Sequence, residues 1–262
     1  MSNGYSLLRA FNTIGLILTL GISMSADAGL FGFGGHTMRW KEEVLLHDGQ
    51  IIVAERFYNL GGYPEPASRE RAALDETVTF SLPGTNRKIT WKTDFRDTEP
   101  EPNSLNLILF DVVKGVPYIA TYPTGCIAYN KWKRPNPPQV LFKYENDQWK
   151  HIAVADFPAE LTKANVIVGR PATSLLQSFY TVVQVNEENR DIHTPEYNSI
   201  LRIPMAKAGG NCGEMVYDGK GGWRGIDWFS DQPTYAACLK YCEQQKIDKQ
   251  YCPCDTLFKG KK

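Results

Sequence analysis

The stretch 105–154 constrains the fold more than any other part of this sequence, because apolar and polar residues alternate through it in two successive units. The first unit folds back at Lys114-Gly115. The second folds back at Asn146-Asp147, and its apolar residues lie more clearly on one side. Alternation with a period of two is typical of β-strands, and a short polar tip between two such runs predicts a hairpin. The stretch therefore predicts two antiparallel hairpins, joined by a proline-rich loop that contains Cys126.

Two more hairpins are predicted nearer the N-terminus. An alternating run that begins near Thr37 turns at Asp48-Gly49, and a second one turns at Pro83-Gly84. Asp-Gly between alternating residues is a strong hairpin signal. Because the four tips are nearly evenly spaced, we predict a mainly β fold, an antiparallel meander of about four hairpins that is sandwich-like or propeller-like.

The hairpin pattern then ends. The capping box Thr-Val-Val-Gln at 181–184 predicts a short helix that ends at about Asn189. Short strands are predicted at 166–168 and 199–203. Apolar residues at positions i, i+3, i+4 and i+7 predict a last helix from about residue 233 to 245.

The N-terminal segment 1–28 predicts a secretory signal peptide. It has a cationic start with Arg9, an apolar run from Ile14 to Ile22, and an A-x-A site that ends at Ala28. An uncleaved membrane anchor is the rival interpretation, but the apolar run is about half of the roughly 20 residues that a spanning helix needs. We therefore predict cleavage after Ala28 and an exported protein, periplasmic or extracellular, with no stable membrane anchor.

The predicted organisation has four parts. These are the signal peptide 1–28, a flexible glycine-rich lead-in 29–36, a mainly β domain 37–229, and a cysteine-rich helical tail 230–262 that packs on the same domain. Lys plus Arg and Asp plus Glu both number 29, so the chain has no net charge to attract nucleic acid.

The six cysteines are predicted to form disulfides, because an exported chain with an even number of cysteines folds in an oxidising compartment. They are Cys126, Cys212, Cys238, Cys242, Cys252 and Cys254. Cys238 and Cys242 lie one helical turn apart with parallel side chains, and a Cys252–Cys254 bond would close a very small ring.

A chain that turns back along the last helix would instead pair Cys242 with Cys252 and Cys238 with Cys254, which leaves Cys126 for Cys212. Two alternatives stay open. Zinc could be held by the four C-terminal cysteines, although their spacing is unlike that of common structural zinc sites, and Cys252-Pro253-Cys254 could be an exchange-active redox pair.

The best candidate for a binding site is the loop around residues 129–134, which combines aromatic, cationic and amide side chains and is stiffened by prolines. Its candidate ligand-binding residues are Tyr129, Lys131, Trp132 and Arg134. A second wall is predicted from Trp223 and Arg224. Flat rings beside such groups can stack on sugars or hold an anion. The alternative is that these rings close the ends of the β core and cover the cysteines.

The sequence predicts no catalytic residues, no metal site and no cofactor. None of its four histidines shares metal-ligand spacing with another, and His47 and His151 are expected to be solvated. There is no G-x-S-x-G motif and no glycine-rich phosphate loop. Glu42 and Glu43 are adjacent in a strand, so they point to opposite faces and cannot act as a pair.

Several segments carry distinctive motifs: W-K-E-E-V-L-L-H-D-G at 40–49, G-Y-P-E-P at 62–66, I-T-W at 89–91, A-Y-N-K-W and R-P-N-P-P within 128–138, and W-R-G at 223–225. Together these motifs resemble a group of uncharacterised exported proteins and lipoproteins of proteobacteria. The resemblance implies a bacterial cell-envelope protein and brings no activity or catalytic residue. This chain lacks the cysteine that would accept a lipid near the cleavage site.

The predicted function is that of a soluble exported envelope protein, a non-enzymatic binding or structural module whose partner is an unknown envelope protein or a glycan. The alternative is a hydrolase of envelope glycans or the cell wall that uses carboxylates not recognisable from their spacing.

Overall fold

Eight strands form two antiparallel meanders of two consecutive hairpins each, and a short ninth strand extends the first of these sheets to five strands. The computed structural model describes residues 36–63, 70–95 and 103–259, which belong to one compact unit. The first sheet contains β1 (His36–Leu45), β2 (Ile51–Gly61), β3 (Ala72–Ser81) and β4 (Lys88–Asp94). The second contains β5 (Leu105–Val113), β6 (Val116–Pro123), β7 (Val140–Glu145) and β8 (Gln148–Ile152). The mainly β prediction and all four hairpins are confirmed.

The two tips that defined the central hairpins have the backbone conformation their residues favour. Lys114 (φ 51°) and Gly115 (φ 77°) are both left-handed, as are Asn146 (φ 52°) and Asp147 (φ 62°). Two successive left-handed residues are typical of the type I′ turn, whose twist matches that of the strands it joins.

The two sheets pack face to face as a sandwich. Phe80 of β3 stacks on Phe110 of β5 with ring centroids 4.1 Å apart, and both side chains are buried. Strand β5 is buried on both faces, because Ile108 and Leu109 pack away from the first sheet against Phe157 and Leu161. This explains why its apolar pattern is less one-sided than that of the second unit.

The first sheet has a buried charged layer beside its apolar half. Arg56 donates hydrogen bonds to Glu76 Oε1 (2.5 Å) and Glu42 Oε1 (2.8 Å), and all three side chains are fully buried. The same guanidinium bonds the carbonyl oxygens of Ile167 (3.0 Å) and Gly169 (3.1 Å). The layer therefore attaches the segment that follows residue 165 to the inner face of the sheet.

Burial dominates the electrostatics of this layer. It raises the pKa of the Glu76 carboxyl, although Arg56 opposes the shift, and Glu76 Oε2 is buried without a hydrogen-bond partner in the described part of the chain. Since two carboxylates face one guanidinium, a proton held by Glu76 would balance the charge of the layer.

The remaining described elements are short. They are α1 (Gly125–Lys131), 3₁₀ turns at Val154–Asp156, Thr173–Leu175 and Lys249–Tyr251, β9 (Phe179–Tyr180), α2 (Val182–Glu188), α3 (Pro195–Asn198), β10 (Met215–Tyr217), β11 (Trp223–Gly225), α4 (Asp227–Ser230), α5 (Tyr235–Gln244) and α6 (Cys254–Leu257). The predicted signal peptide lies outside the described residues, and so does the predicted lead-in except for His36, which already belongs to β1.

The region after the hairpins was predicted less well. The capping box at Thr181 and Gln184 is confirmed, with both reciprocal hydrogen bonds present at the start of α2. The strands predicted at 166–168 and 199–203 were wrong, since Ser199 forms only an isolated bridge with Lys163. Strand β9, which no alternation had indicated, adds a two-residue parallel pairing to β1.

Three disulfides link the chain as predicted. Cys126–Cys212 joins α1 to the irregular region, with Cα atoms 5.1 Å apart. In the tail, Cys238–Cys254 and Cys242–Cys252 form the nested pattern, with Cα separations of 5.8 and 6.0 Å. Helix α5 begins at Tyr235 rather than Pro233, because the Thr234 side chain caps it by accepting from the Ala237 backbone N–H.

Candidate functional site

An aromatic cleft of about 410 Å³ opens between the free edge of the first sheet and the end of the second. We call it the tryptophan cleft. Its described lining residues are Thr90, Trp91, Lys92, Asn103, Leu105, Trp132, Phe142 and Trp149. Three tryptophans from β4, the end of α1 and β8 therefore converge on one cavity, as in ligand sites that combine aromatic walls with a few polar groups.

The two half-buried indoles are held by their own N–H groups. Trp132 Nε1 donates to the Asn103 carbonyl oxygen (3.0 Å), and Trp149 Nε1 donates to the Thr90 carbonyl oxygen (2.8 Å). Trp132 also packs edge-on against Phe142, with ring centroids 5.7 Å apart. Because the polar edge of each indole is already bonded within the protein, what these rings can offer a ligand is apolar surface in a fixed orientation.

The polar groups of the cleft are cationic or neutral. Lys92 is exposed, and the Asn103 side-chain oxygen accepts a hydrogen bond from Lys131 Nζ (3.3 Å). Behind Trp132 lies His151, whose pKa is lowered by burial, so its imidazole is neutral at pH 7. None of the described lining residues carries a carboxylate.

The predicted binding residues divide between this cleft and the disulfide beside it. Trp132 lines the cleft, and Lys131 reaches it through Asn103. Arg134 instead donates to the carbonyl oxygens of Cys212 (3.0 Å) and Gly213 (2.9 Å). Its guanidinium lies over the ring of Tyr129, which is 5% exposed. Tyr129 and Arg134 therefore pack around the Cys126–Cys212 disulfide, which is the arrangement expected if these side chains cover the cysteines.

Trp223 and Arg224 lie on β11 and are absent from the described lining of the tryptophan cleft. Trp223 packs on Tyr217, with ring centroids 5.2 Å apart, and the Nε atom of Arg224 is buried. The other tryptophans in the lining of the cleft are Trp91 and Trp149. The sequence places both in strands without connecting them, because nothing local shows that the Trp149 side chain of β8 reaches Thr90 of β4.

His47 and His151 are exposed, as predicted, but each also has specific partners. His151 packs against Trp132 and Phe142. His47 Nδ1 lies 2.7 Å from Asp111 Oδ1, and its backbone N–H donates to Asp111 Oδ2 (2.8 Å). The hydrogen bond with Asp111 raises the pKa of His47, and the charges of Asp111, Asp48 and Glu160 act in the same direction.

His47 and Asp111 line a second crevice of about 260 Å³, between the first hairpin tip and the loop 160–165. A carboxylate that fixes Nδ1 orients the imidazole, as it does in acid–base dyads. The crevice also contains Glu160, Thr162 and Lys163, and the opposite charges of Glu160 and Lys163 cancel. The His47–Asp111 pair joins the two sheets, and no activated nucleophile lies beside it in the described chain. We therefore assign no reaction to it.

The predicted separation of Glu42 and Glu43 is confirmed. Glu42 lies in the buried charged layer, whereas Glu43 is half-buried and accepts a hydrogen bond from the Val182 backbone N–H (3.0 Å). The carboxylates that do approach a common partner, Glu42 and Glu76, come from different strands and are fully buried. No substrate can reach them in this structure.

No protein-family model, no curated protein and no solved structure matches this chain. The proteobacterial resemblance therefore stays a prediction. Among the described residues, no helix has the length and apolar character needed to cross a membrane.

Proposed function

We propose that this chain is an exported, non-enzymatic glycan-binding module of a bacterial envelope, and that the tryptophan cleft holds the glycan. The observation that carries this proposal is the pair of indoles, Trp132 and Trp149, each fixed by a hydrogen bond to the backbone carbonyl of another lining residue. Rings held in this way lose little conformational entropy when a ligand binds.

The chemistry of the lining suits a sugar. A pyranose ring presents C–H groups on its faces and hydroxyls on its edge, so it can lie against an indole face while its hydroxyls meet polar side chains. Thr90, Lys92 and Asn103 supply such groups at the rim.

Binding is favoured over hydrolysis. A glycosidase of the usual type needs two carboxyl groups beside the scissile bond, roughly 5 to 10 Å apart. The described lining of the cleft carries none, and the Glu42–Glu76 pair is closed off by burial. Among the described lining residues of the cleft, no accessible pair of carboxyl groups therefore supports the hydrolase alternative.

Export is supported by the disulfides. Three bridges use all six cysteines, and such bridges persist in oxidising compartments such as the periplasm or the extracellular space. The predicted signal peptide and the proteobacterial resemblance point to the same location.

A titration with chitotetraose, an oligomer of the N-acetylglucosamine found in bacterial cell walls, tests the proposal. We expect saturable quenching of tryptophan fluorescence, because the ligand would cover Trp149 and Trp132. Trp149→Ala should weaken binding at least tenfold, or about 1.4 kcal/mol. Lys92→Ala, which removes an exposed side chain at the rim, should weaken it less and leave the thermal midpoint unchanged.

Trp228→Ala is the matched control. Trp228 lies on α4, is 64% exposed and is not among the described lining residues. Its removal should leave the affinity unchanged. Equal affinities in the Trp149 and Trp228 variants, or no binding of this sugar or of a panel of envelope glycans, would contradict the proposal. Release of sugar fragments would favour the hydrolase.

A further inference from the structure

The two disulfides of the tail lie in direct contact with each other. Cys254 Sγ, which is bonded to Cys238, lies 3.7 Å from Cys242 Sγ and 3.4 Å from Cys252 Sγ. Those two sulfurs form the neighbouring bridge. Thiol–disulfide exchange proceeds by attack of a thiolate on a disulfide sulfur. A thiolate released from the Cys242–Cys252 bridge would therefore begin next to a sulfur of the second bridge.

The four cysteines differ in their access to solvent. Cys252 is half-buried, whereas Cys238, Cys242 and Cys254 are only 0%, 4% and 0% exposed. An external thiol can therefore approach the cluster at Cys252 and not at the inner bridge.

The surroundings of the buried sulfurs are apolar. Phe229, Ile247 and Phe258 pack around them in one hydrophobic cluster. A Cys242 thiolate released into this cluster would therefore lie against Cys254 Sγ, 3.7 Å away, with apolar side chains rather than water around the two sulfurs.

We propose that the tail is a thiol–disulfide exchange site, in which electrons from a dithiol on a second protein pass through the Cys242–Cys252 bridge to the buried Cys238–Cys254 bridge. This activity is independent of glycan binding in the tryptophan cleft.

The exchange balances in three steps. A thiolate of the dithiol bonds to Cys252 Sγ, the Cys242–Cys252 bond breaks, and its electron pair leaves on Cys242. Cys242 then bonds to Cys254 Sγ, the Cys238–Cys254 bond breaks, and the pair leaves on Cys238, which takes up a proton. The second thiol of the dithiol displaces Cys252 and gives up its proton, so the dithiol is oxidised to a disulfide by two electrons.

The product has a Cys242–Cys254 bond and free thiols at Cys238 and Cys252. Simple reduction of the outer bridge would instead leave thiols at Cys242 and Cys252 and keep Cys238–Cys254 intact. Both products contain two tail thiols, so only the positions of these thiols distinguish the relay from simple reduction.

Limited reduction with one molar equivalent of dithiothreitol, followed by acid quenching, alkylation and peptide mapping, decides between them. We expect alkylated Cys238 and Cys252 together with a Cys242–Cys254 peptide. Alkylated Cys242 and Cys252 with an intact Cys238–Cys254 peptide would overturn the proposal. So would tail disulfides that are reduced only after urea unfolds the protein.

The third disulfide needs its own control, because Cys126 is exposed and competes for the reductant. The double variant Cys126→Ser/Cys212→Ser removes it and should give the same tail product. In Cys242→Ser/Cys252→Ser the outer bridge and both of its thiols are absent, and release of the Cys238 thiol should slow at least tenfold. An unchanged rate in that variant would also reject the relay. Mapping of the wild-type protein remains decisive if either variant fails to fold.

Discussion

The two sheets are built alike, yet their buried faces differ. Each is a meander of two hairpins, and the inner residues of both meet in a shared apolar core. The first sheet continues beyond that core into the Glu42, Arg56 and Glu76 layer, where it is covered by irregular chain. The second sheet buries its other face against apolar residues.

The difference follows from what covers each surface. A sheet covered by another sheet meets side chains, because the backbone groups of both are already bonded within their own ladders. The irregular segment around Ile167 and Gly169 has backbone groups without such partners, and Arg56, Glu42 and Tyr58 supply them. The buried charged side chains therefore provide hydrogen-bond partners for the backbone of a loop that lies in the core.

The largest expected effect comes from Arg56→Met. It leaves Glu42 and Glu76 buried without their cation, a change that typically costs about 3–5 kcal/mol. Urea unfolding measures the loss.

Arg39→Met is the matched control, since Arg39 pairs with Glu55 (3.2 Å) on the exposed face of the same sheet, with 65% and 37% of the two side chains exposed. It should cost less than about 1 kcal/mol. Similar losses in the two variants would show that the layer contributes no more than a surface ion pair.

A smaller effect is expected at an ionic contact that joins the sheets, His47 with Asp111. The pKa of folded His47 is raised above 6.5, so its extra stability is fully present below pH 6.5 and is lost as pH rises through the folded pKa. His47→Gln should cost about 1–2 kcal/mol at pH 6, since a hydrogen bond to a charged group is lost.

That cost should decrease between pH 6.5 and 9, as measured by urea unfolding of both proteins at each pH. A cost that stays constant over this range would mean that the ring is neutral at all these pH values.

The smallest effect is predicted for Glu76→Gln at neutral pH. The pKa of Glu76 is raised by burial, so the wild-type protein loses stability as pH rises from 4.5 through the folded pKa. The variant does not lose stability in this way, because Gln cannot ionise and resembles the protonated acid in shape. We expect a change below about 1 kcal/mol at pH 7.

The quantity to compare is the difference in unfolding free energy between variant and wild type at pH 4.5 and at pH 7.5. This difference should shift towards a more stable variant between pH 4.5 and pH 7.5. Movement in the opposite direction would show that Glu76 is an ordinary ionised partner of Arg56.

The hairpins could be predicted from the sequence, because alternation and turn residues such as Asn146-Asp147 act over a few neighbouring positions. The disulfides were also predicted: local pairs of the tail cysteines are disfavoured, and a chain that turns back along the last helix gives the nested pairing, which leaves Cys126 for Cys212. In the candidate site the sequence identified Trp132.

Which strands come together at the cleft depends on tertiary packing. Trp91 and Trp149 are 58 positions apart, so their convergence with Trp132 depends on how the sheets stack. The same holds for Arg56, which looks like a surface residue in an alternating strand until the segment at 167–169 covers it. Local patterns fix which face a side chain occupies, whereas the partner of that face is chosen by packing between segments far apart in the chain.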